Sequence, residues 1–343
     1  MPDMDIKQGV IMVGGKGTRL HPLTETIPKP ALPVLDRPCL KYLIQSFSDA
    51  GIKEIFLACG YKSDILRREI GDGSDMGVKL TYSDEDTPLG TGGAMKQLES
   101  VLDPVFVAAN GDTLVDIDVR KVVETHLKNN AKITIALTQV DNPCEYGIAR
   151  LEKDGRISEF KDKPRPEEVF SDRINAGVYV VDKSVLQYVP EYSFFDFSKD
   201  LVPLITEKGW RVQGHLLEGG VWMDVGRPSD LIRANLVMAD RRFSDADFPI
   251  GSETEIVRPF YLGKDSVISD SKLDSCAVLD DCRISGSTVS KSLIMRGCDI
   301  ANATITDSIL GCDCVVEEGA VVRGCVLKDG TVVSKGTVLD KRI

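Results

Sequence analysis

From Gly9 to about residue 240 the apolar positions follow two alternating patterns. Short, largely apolar runs at Gly9–Val13, Glu54–Ala58 and Val105–Ala109, together with the stretch Lys132–Gln139, read as strands. Between them the spacing turns helical. Leu40, Leu43, Ile44 and Phe47 fall on one face of a helix over Leu40–Ala50 that Gly51 ends, and further helices are predicted over about Lys62–Ile70 and over Val119–Asn129. Strands alternating with helices predict right-handed βαβ units and an α/β, Rossmann-like mixed, mostly parallel sheet. Ligands on such sheets sit beyond the carboxyl ends of the strands, which draws attention to Gly14-Gly15 after the first run and to Asn110-Gly111-Asp112 after the third.

After about residue 250 the helical spacing stops. Single apolar steps recur every five or six residues: Val267, Leu273, Val278, Ile284, Val289, Ile294, Ile300, Ile305, Leu310, Val315, Val321, Val326, Val332 and Val338. Gly, Asp, Ser and Cys lie between them. Three steps make a coil of roughly 15 to 18 residues, the grammar of a stacked parallel β-helix. Small residues are needed at its corners. The chain therefore divides into a domain over residues 1–243 and a β-helix over residues 252–343, with the charged stretch Ala239–Gly251 as the linker.

Charge narrows the choice of partners. Lys plus Arg number 42 against 53 Asp plus Glu, a net charge of -11, which argues against non-specific binding to nucleic acid or to an anionic membrane. No run of about 18 apolar residues predicts a membrane span. The start of the chain lacks the pattern of a signal peptide, so cytoplasm is the expected compartment. The nine cysteines contain no CxxC pair and read as small buried thiols in a reducing compartment.

The glycine-rich turn at Gly14, Gly15 and Gly17 can bring backbone N–H groups close to an anion. It is neither a Walker loop nor a dinucleotide fingerprint: position 10 is Val where the first needs Gly, and position 20 is Leu where the second needs Gly. The residues after the glycines are more specific. The run GGKGTRLHPLTETIPKPALPV, Gly14 to Val34, resembles the opening motif of the sugar-1-phosphate nucleotidyltransferases, or nucleotide-sugar pyrophosphorylases. Prolines 28, 30 and 33 stiffen the chain around Lys29.

The resemblance extends over the first two-thirds of the chain and implies a site. Gly14, Gly15, Gly17 and Thr18 would cradle the triphosphate, with Gly90 and Thr91 of the PLGTGGA segment on the base and ribose. Arg19 and Lys29 would neutralise phosphate charge, and Lys163 that of the sugar phosphate. Gly147, Asp162 and Asn175 would contact the sugar; Asp162 stands where the family has Glu, one methylene longer. Asp112 and Asp224, the latter in the VWMDVG segment, would hold Mg²⁺. Trp222 reads as packing. The implied C-terminal module is a left-handed parallel β-helix through which the chain would self-associate.

Among family members the VGG-KGTRL, PLGTGGA and WMDVG elements with a β-helix most resemble mannose-1-phosphate guanylyltransferases. That implies GTP and mannose 1-phosphate as substrates and GDP-mannose and pyrophosphate as products. Glucose-1-phosphate thymidylyl- and uridylyltransferases share nearly all these elements, and non-catalytic regulatory homologues form a further alternative. Retention of Arg19, Lys29, Asp112, Lys163 and Asp224 favours a working enzyme. A β-helix acetyltransferase would need a histidine base, and no histidine occurs after His215. His126 and His215 read as surface or structural.

Overall fold

The computed structural model describes residues 6–341 apart from 16, 61, 86, 245–247, 249 and 252. Lys16 of the glycine-rich motif and part of the expected linker thus lie outside the described residues. The chain forms two compact units. One takes the chain as far as Gly15 and again over Leu40–Trp222; the other takes residues 16–39 and the chain from Met223 on.

The first unit is built on nine strands: β1 (Gln8–Val13), β2 (Glu54–Cys59), β3 (Lys79–Asp84), β4 (Val105–Asn110), β5 (Ile133–Gln139), β6 (Gly147–Leu151), β7 (Ile157–Asp162), β8 (Arg173–Asp182) and β9 (Val212–Leu216). They form one mixed sheet in the order β7-β6-β8-β4-β1-β2-β3, with β5 on β8 and β9 on β5. The run β4-β1-β2-β3 is parallel, while β8 is antiparallel to β4 and β5. Helices α1 (Cys39–Asp49), α2 (Ser63–Ile70), α3 (Gly90–Gln97), α4 (Val119–Asn129) and α5 (Val202–Glu207) fall between strands. The expected strand and helix segments match these elements to within a residue or two.

Apolar side chains cover both faces of the parallel strands, which is why those strands read as largely apolar runs. Val10, Met12, Phe56, Phe106, Ile133, Ile135 and Phe197 belong to one buried cluster. On the other side Phe47 of α1 lies so close to Gly9 that an added methyl there would come within 2.7 Å of the ring. The chain runs from β1 outward through β2 and β3, then returns to place β4 on the opposite side of β1. The strand order therefore reverses between β1 and β4, and a crevice opens at their carboxyl ends.

The second unit contains α6 (Pro228–Phe243) and the β-helix. Helix α6 continues through Ala239–Phe243, so the first five residues of the expected linker are helical; no breaker precedes Ser244, and Met238 and Ala239 are buried. In the β-helix every strand stacks in parallel on the next coil. Ile268 pairs with Ile284, Ile284 with Ile300, Ile300 with Val316 and Val316 with Val333. The repeat is 16 residues, lengthening to 17 in the last coil, within the expected range.

The inward register differs from the expected one at several steps. Val267, Val315, Val332 and Val338 are exposed, whereas Ile268, Val316, Val322, Leu327 and Val333 are buried. At each of these steps two adjacent apolar residues occur, and strand alternation sends only one inward; the sequence pattern picked the wrong member of the pair. Five of the six late cysteines are buried as expected, whereas Cys312 is half-exposed. Cys276, Cys282, Cys298, Cys314 and Cys325 are buried, and the Sγ–H groups of Cys282, Cys298 and Cys314 donate to carbonyls of Met295, Gly311 and Lys328 on the next coil.

Candidate functional site

In the first unit a cleft of about 330 Å³ lies at the reversal point and is lined by Met12 of β1 with Gly14 and Gly15 after it, by Asn110 at the end of β4 with Asp112 after it, and by Glu85, Pro88, Gly90, Thr91 and Phe194. Gly14 and Gly15 are exposed, and open space surrounds the position of a Cβ on either. Gly111 is different. Its N–H donates to Met12 O at 2.8 Å, and a Cβ there would strike Val13 and come 2.9 Å from Ile11. Glycine at 111 is thus what allows the Asn110–Asp112 turn to close against β1 and present Asp112 at the cleft.

The PLGTGGA segment opens α3, and the loop around Phe195 caps it. Gly92 and Gly93 N–H both donate to Phe195 O, at 2.9 and 3.1 Å. Thr91 Oγ1 accepts from Phe197 N at 2.9 Å. Gly90 sits at φ 72°, and a Cβ on it would lie 2.7 Å from Phe195 O. The cleft wall therefore rests on the 193–197 loop, which also brings Phe194, 68 % exposed, to its edge. Glu85 lies half-buried on the wall. Burial raises its carboxyl pKa, and the hydrogen bond it accepts from Leu89 N at 3.2 Å opposes this in part. Sequence reading missed Glu85, Asn110 and Phe194; of the three only Asn110 carried a signal, its place at a strand end.

A second group of expected residues gathers around β6, β7 and β8. Asp162 pairs in register with Gly147, and Lys163 N donates to Tyr146 O at 3.0 Å. Gly147 lies beneath Phe160, whose ring would be 2.7 Å from an added Cβ. Lys163 takes φ 43°, the left-handed region that a lysine enters only at a cost. Burial raises the Asp162 pKa, Lys163 opposes the shift, and the charge of Asp196 adds to it.

Asn175 Nδ2 donates to Tyr179 OH at 2.8 Å and to Ser198 Oγ at 2.9 Å, and its Oδ1 accepts from Gly177 N at 2.8 Å. Its amide thereby holds the bulge where β8 breaks register between Asn175 and Tyr179. Trp222 Nε1–H donates to Ala176 O in the same bulge at 2.6 Å, and its ring packs edge-on against Tyr146 at 5.7 Å. The bulge in turn presses Gly177, at φ 71°, against Asn110, whose side-chain oxygen is buried without a partner. Such an orphan is rare in folded proteins and costs about 1–3 kcal/mol.

The second unit holds Gly17, Thr18, Arg19, Lys29 and Asp224. Gly17 is left-handed (φ 61°), and a Cβ on it would be 3.1 Å from both Lys29 Cβ and Thr24 Cγ2. The buried Thr24 hydroxyl donates to Gly17 O at 2.8 Å. Lys29 is buried, and its ammonium meets Asp224 Oδ1 at 3.3 Å. A Cβ on Gly226 would lie 3.1 Å from Arg19 Nη2 and 3.1 Å from Asp224 Oδ2. Arg19, Lys29 and Asp224 therefore converge around the bare backbone of Gly226. The segment carrying them is tied down by Asn235 of α6, which accepts from Leu35 N at 2.8 Å, and by Glu25 and Thr26, which reach Lys328 and Asp329 at 3.5 and 3.2 Å.

Among the described residues no group of three or more His, Cys, Asp or Glu side chains could hold a metal. Magnesium at phosphate-transfer sites commonly uses one or two carboxylates and completes its shell with substrate phosphates and water. An exposed Asp112 beside a phosphate-sized cleft fits that use.

Comparison with known proteins agrees with this geometry. Residues 8–241 match the family model described as nucleotidyl transferase, and residues 261–343 match that of the GlmU-like, C-terminal hexapeptide. The chain is 33% identical over 228 residues to the mannose-1-phosphate guanylyltransferase of Mycobacterium tuberculosis (strain ATCC 25618 / H37Rv), covering 66% of this chain and 63% of that protein. It is 36% identical over 238 residues to the mannose-1-phosphate guanyltransferase of Yarrowia lipolytica (strain CLIB 122 / E 150), covering 66% and 62%. It thus spans less than two thirds of the length of these relatives. The crystal structure of HddC from Yersinia pseudotuberculosis complexed with GMP-PN superposes with a TM-score of 0.58 at 28% identity, over 68% of this chain and 100% of that one.

Proposed function

The chain belongs to the nucleotidyl transferase family, and from that premise we propose that it joins a nucleoside triphosphate to a sugar 1-phosphate, with GTP and mannose 1-phosphate as the substrates. A sugar-phosphate oxygen attacks the α-phosphorus, the bond from that phosphorus to the bridging oxygen of the β-phosphate breaks, and pyrophosphate departs with the electron pair. The nucleophile is already an anion, so the reaction calls for alignment and charge neutralisation rather than a base.

The observation that carries this reading is the cleft at the β1–β4 reversal, which combines open backbone at Gly14 and Gly15 with a carboxylate on its wall. The glycines suit the triphosphate, and Gly90 and Thr91 the nucleoside. Glu85 suits guanine in particular, because a carboxylate can accept from both N1–H and N2–H of that base, whereas a pyrimidine offers only one such donor. The mannose-1-phosphate guanylyltransferases among the relatives and the GMP-PN complex of HddC support the same base.

Arg19 offers a planar fork to the departing pyrophosphate. Lys29 adds a positive charge beside it, held in place by Asp224. Lys163 faces the sugar phosphate; Gly147 and Asp162 lie beside it for the sugar, and Asn175 shapes the bulge. Asp112 and Asp224 are the carboxylates that would hold Mg²⁺, which when bound screens the repulsion between the two anions.

Measuring pyrophosphate release with GTP, ATP, UTP and dTTP against mannose 1-phosphate and glucose 1-phosphate tests the reading. GTP with mannose 1-phosphate should show the highest kcat/KM. Glu85→Gln should lower the preference for GTP over UTP about tenfold or more, the effect of losing a charge-assisted hydrogen bond. Turnover of a pyrimidine triphosphate as fast as GTP would overturn the choice of base, and no pyrophosphate from any pair would overturn the activity.

A further inference from the structure

One cavity of the second unit plays no part in the nucleotidyl-transfer site. It is a groove of about 750 Å³ between α6 and one edge of the β-helix. Four cations line it: Arg233 from α6, and Lys291, Arg323 and Lys341 from three levels of the β-helix, with Lys291 two levels before Arg323. Two acids, Asp307 and Asp340, accompany them. Among the described residues, only Arg323 of the four cations has a carboxylate within reach, Asp340 at 3.8 Å. The groove therefore carries an excess of positive charge on a chain whose net charge is -11. Ile232, Leu236 and Pro259 add an apolar wall, and Ser229, Ser275 and Thr306 add hydroxyls.

The corners of the β-helix give an independent reason to single out this edge. Each coil turns at three corners in the left-handed backbone region. Two of the corner columns, from Asp265 to Gly330 and from Asp270 to Gly336, consist of Asp, Asn and Gly alone, the residues that adopt this conformation at least cost. The third column faces the groove and runs Ser275, Lys291, Asp307, Gly324. Lys291 holds φ 45° there. A long cationic side chain thus stands where the fold elsewhere uses a small residue. Two levels further on, at about 4.8 Å per level, Gly324 leaves the corner bare beside Arg323. Lys291 and Arg323 are thus set about 10 Å apart, with Asp307 at the level between them.

We propose that this groove binds a small organic phosphate ester, its phosphate between Lys291, Arg233 and Arg323 and its body on Leu236 and Pro259. A phosphate matches several cations gathered on one face, and the apolar wall favours an ester over the bare ion. The ester could be a sugar phosphate or a nucleoside monophosphate; both present the same chemistry to the cations.

Isothermal titration calorimetry on the full chain separates these sources. The probes are glucose 6-phosphate, whose phosphate is not at the reacting carbon, AMP, and inorganic phosphate. At least one ester should bind, more tightly than inorganic phosphate, and the tighter ester identifies the source. Arg233→Gln and Lys291→Gly should each weaken that ester about tenfold, while pyrophosphate release with the preferred substrates and no added ester stays unchanged. Lys291→Gly should also raise the Tm by relieving the left-handed lysine, so that lost binding cannot be ascribed to a damaged fold. The proposal is overturned if neither ester binds, or if binding is undiminished in both variants. It is equally overturned if sedimentation shows the chain self-associating and Lys291→Glu abolishes that association, since the groove would then hold a second copy.

Discussion

Asn110, half-buried but with its side-chain oxygen wholly enclosed, and the buried Ser287 both lie beside strand ends, one in each unit, and they meet opposite conditions. Ser287 donates to Ser285 O at 2.7 Å and accepts from Ala303 N, on the next coil, at 3.1 Å. Ser266, Ser271, Ser292 and Ser308 accept in the same way from Cys282, Ser287, Ser308 and Cys325. A repeat makes this possible, because each coil supplies at a fixed offset the donor that its neighbour needs. Asn110 ends a strand that has no such repeat, and its oxygen stays buried and unpartnered at the cleft. The stacked coils satisfy these serines from their own backbone, although Thr254 Oγ1, just before the first coil, is also buried without a partner; at the cleft the mixed sheet leaves the Asn110 oxygen open where a ligand would complete it. Substitutions in the sheet unit and around Gly226 should therefore read out in turnover, and those in the β-helix in stability.

The largest effect is expected at Lys29. Lys29→Met keeps the buried stem and removes the ammonium. It should lower kcat/KM for pyrophosphate release by a factor of about 10²–10³, the usual loss on removing one preorganised cation or donor. The far-UV spectrum should stay native. A variant that unfolds would assign the Lys29–Asp224 pair to the fold instead.

Acid separates the units next. Burial against Thr134, 2.9 Å from the ring, pushes the pKa of His126 down to about 4, below the 6.5 or so of the unfolded chain. The native state thus prefers the neutral ring. Above about pH 6.5 both states are neutral and the full stability is present. As pH falls from there to about 4 the unfolded chain gains a proton that the native state refuses, and roughly 3 kcal/mol is lost. No histidine occurs after His215, so the β-helix has no such group. Hydrogen exchange at about pH 4.5, inside that window, should show β5 and α4 opening before the β-helix coils, and His126→Gln should flatten the pH dependence. Simultaneous opening would mean that another group governs acid stability.

Ser287→Ala and Asn110→Ala test the contrast between the two polar residues directly. The first strands the Ala303 N–H and should destabilise the chain by about 1–3 kcal/mol with turnover unchanged. The second removes an orphan oxygen. Stability should hold or rise while kcat/KM falls about tenfold or more. If both variants lose only stability, Asn110 serves packing alone.

Legibility in the sequence divides along the same line. The strand and helix segments were legible because each depends on a local period, and so was the coil length near 16. Gly14, Gly15 and Asp112 were legible because they come directly after apolar runs. Contacts between distant residues were not: Lys29 and Asp224 are 195 positions apart, and no local pattern announces their meeting. Glu85 was missed because the acidic stretch Ser83–Thr87, with three carboxylates in a row, looks like a solvated loop until the Leu89 N–H turns toward one of them. Asn175 carried a family signal for the sugar, yet only the fold reveals that its amide is taken up by Tyr179, Ser198 and Gly177.

The choice between adjacent residues in the β-helix is the finest of these distinctions, and it yields the smallest effect. At the step Val267-Ile268 both residues are apolar and β-branched, so hydrophobicity does not say which faces inward. The structure exposes 62 % of Val267 and 3 % of Ile268. The alternation is fixed further along, where Arg283 and Ser285 flank Ile284 and leave only one inward choice; Val267 pairs with Arg283 and Ile268 with Ile284. Val267→Thr should therefore shift stability by no more than about 0.5 kcal/mol, because it exchanges one exposed β-branched side chain for another. Ile268→Thr introduces a hydroxyl into the stacked core beside Ile284 and should cost well over about 1 kcal/mol. Paired urea titrations on the two variants read the register directly. Equal losses would mean that both residues are held inside, and that the first coil departs from the alternation its neighbours keep.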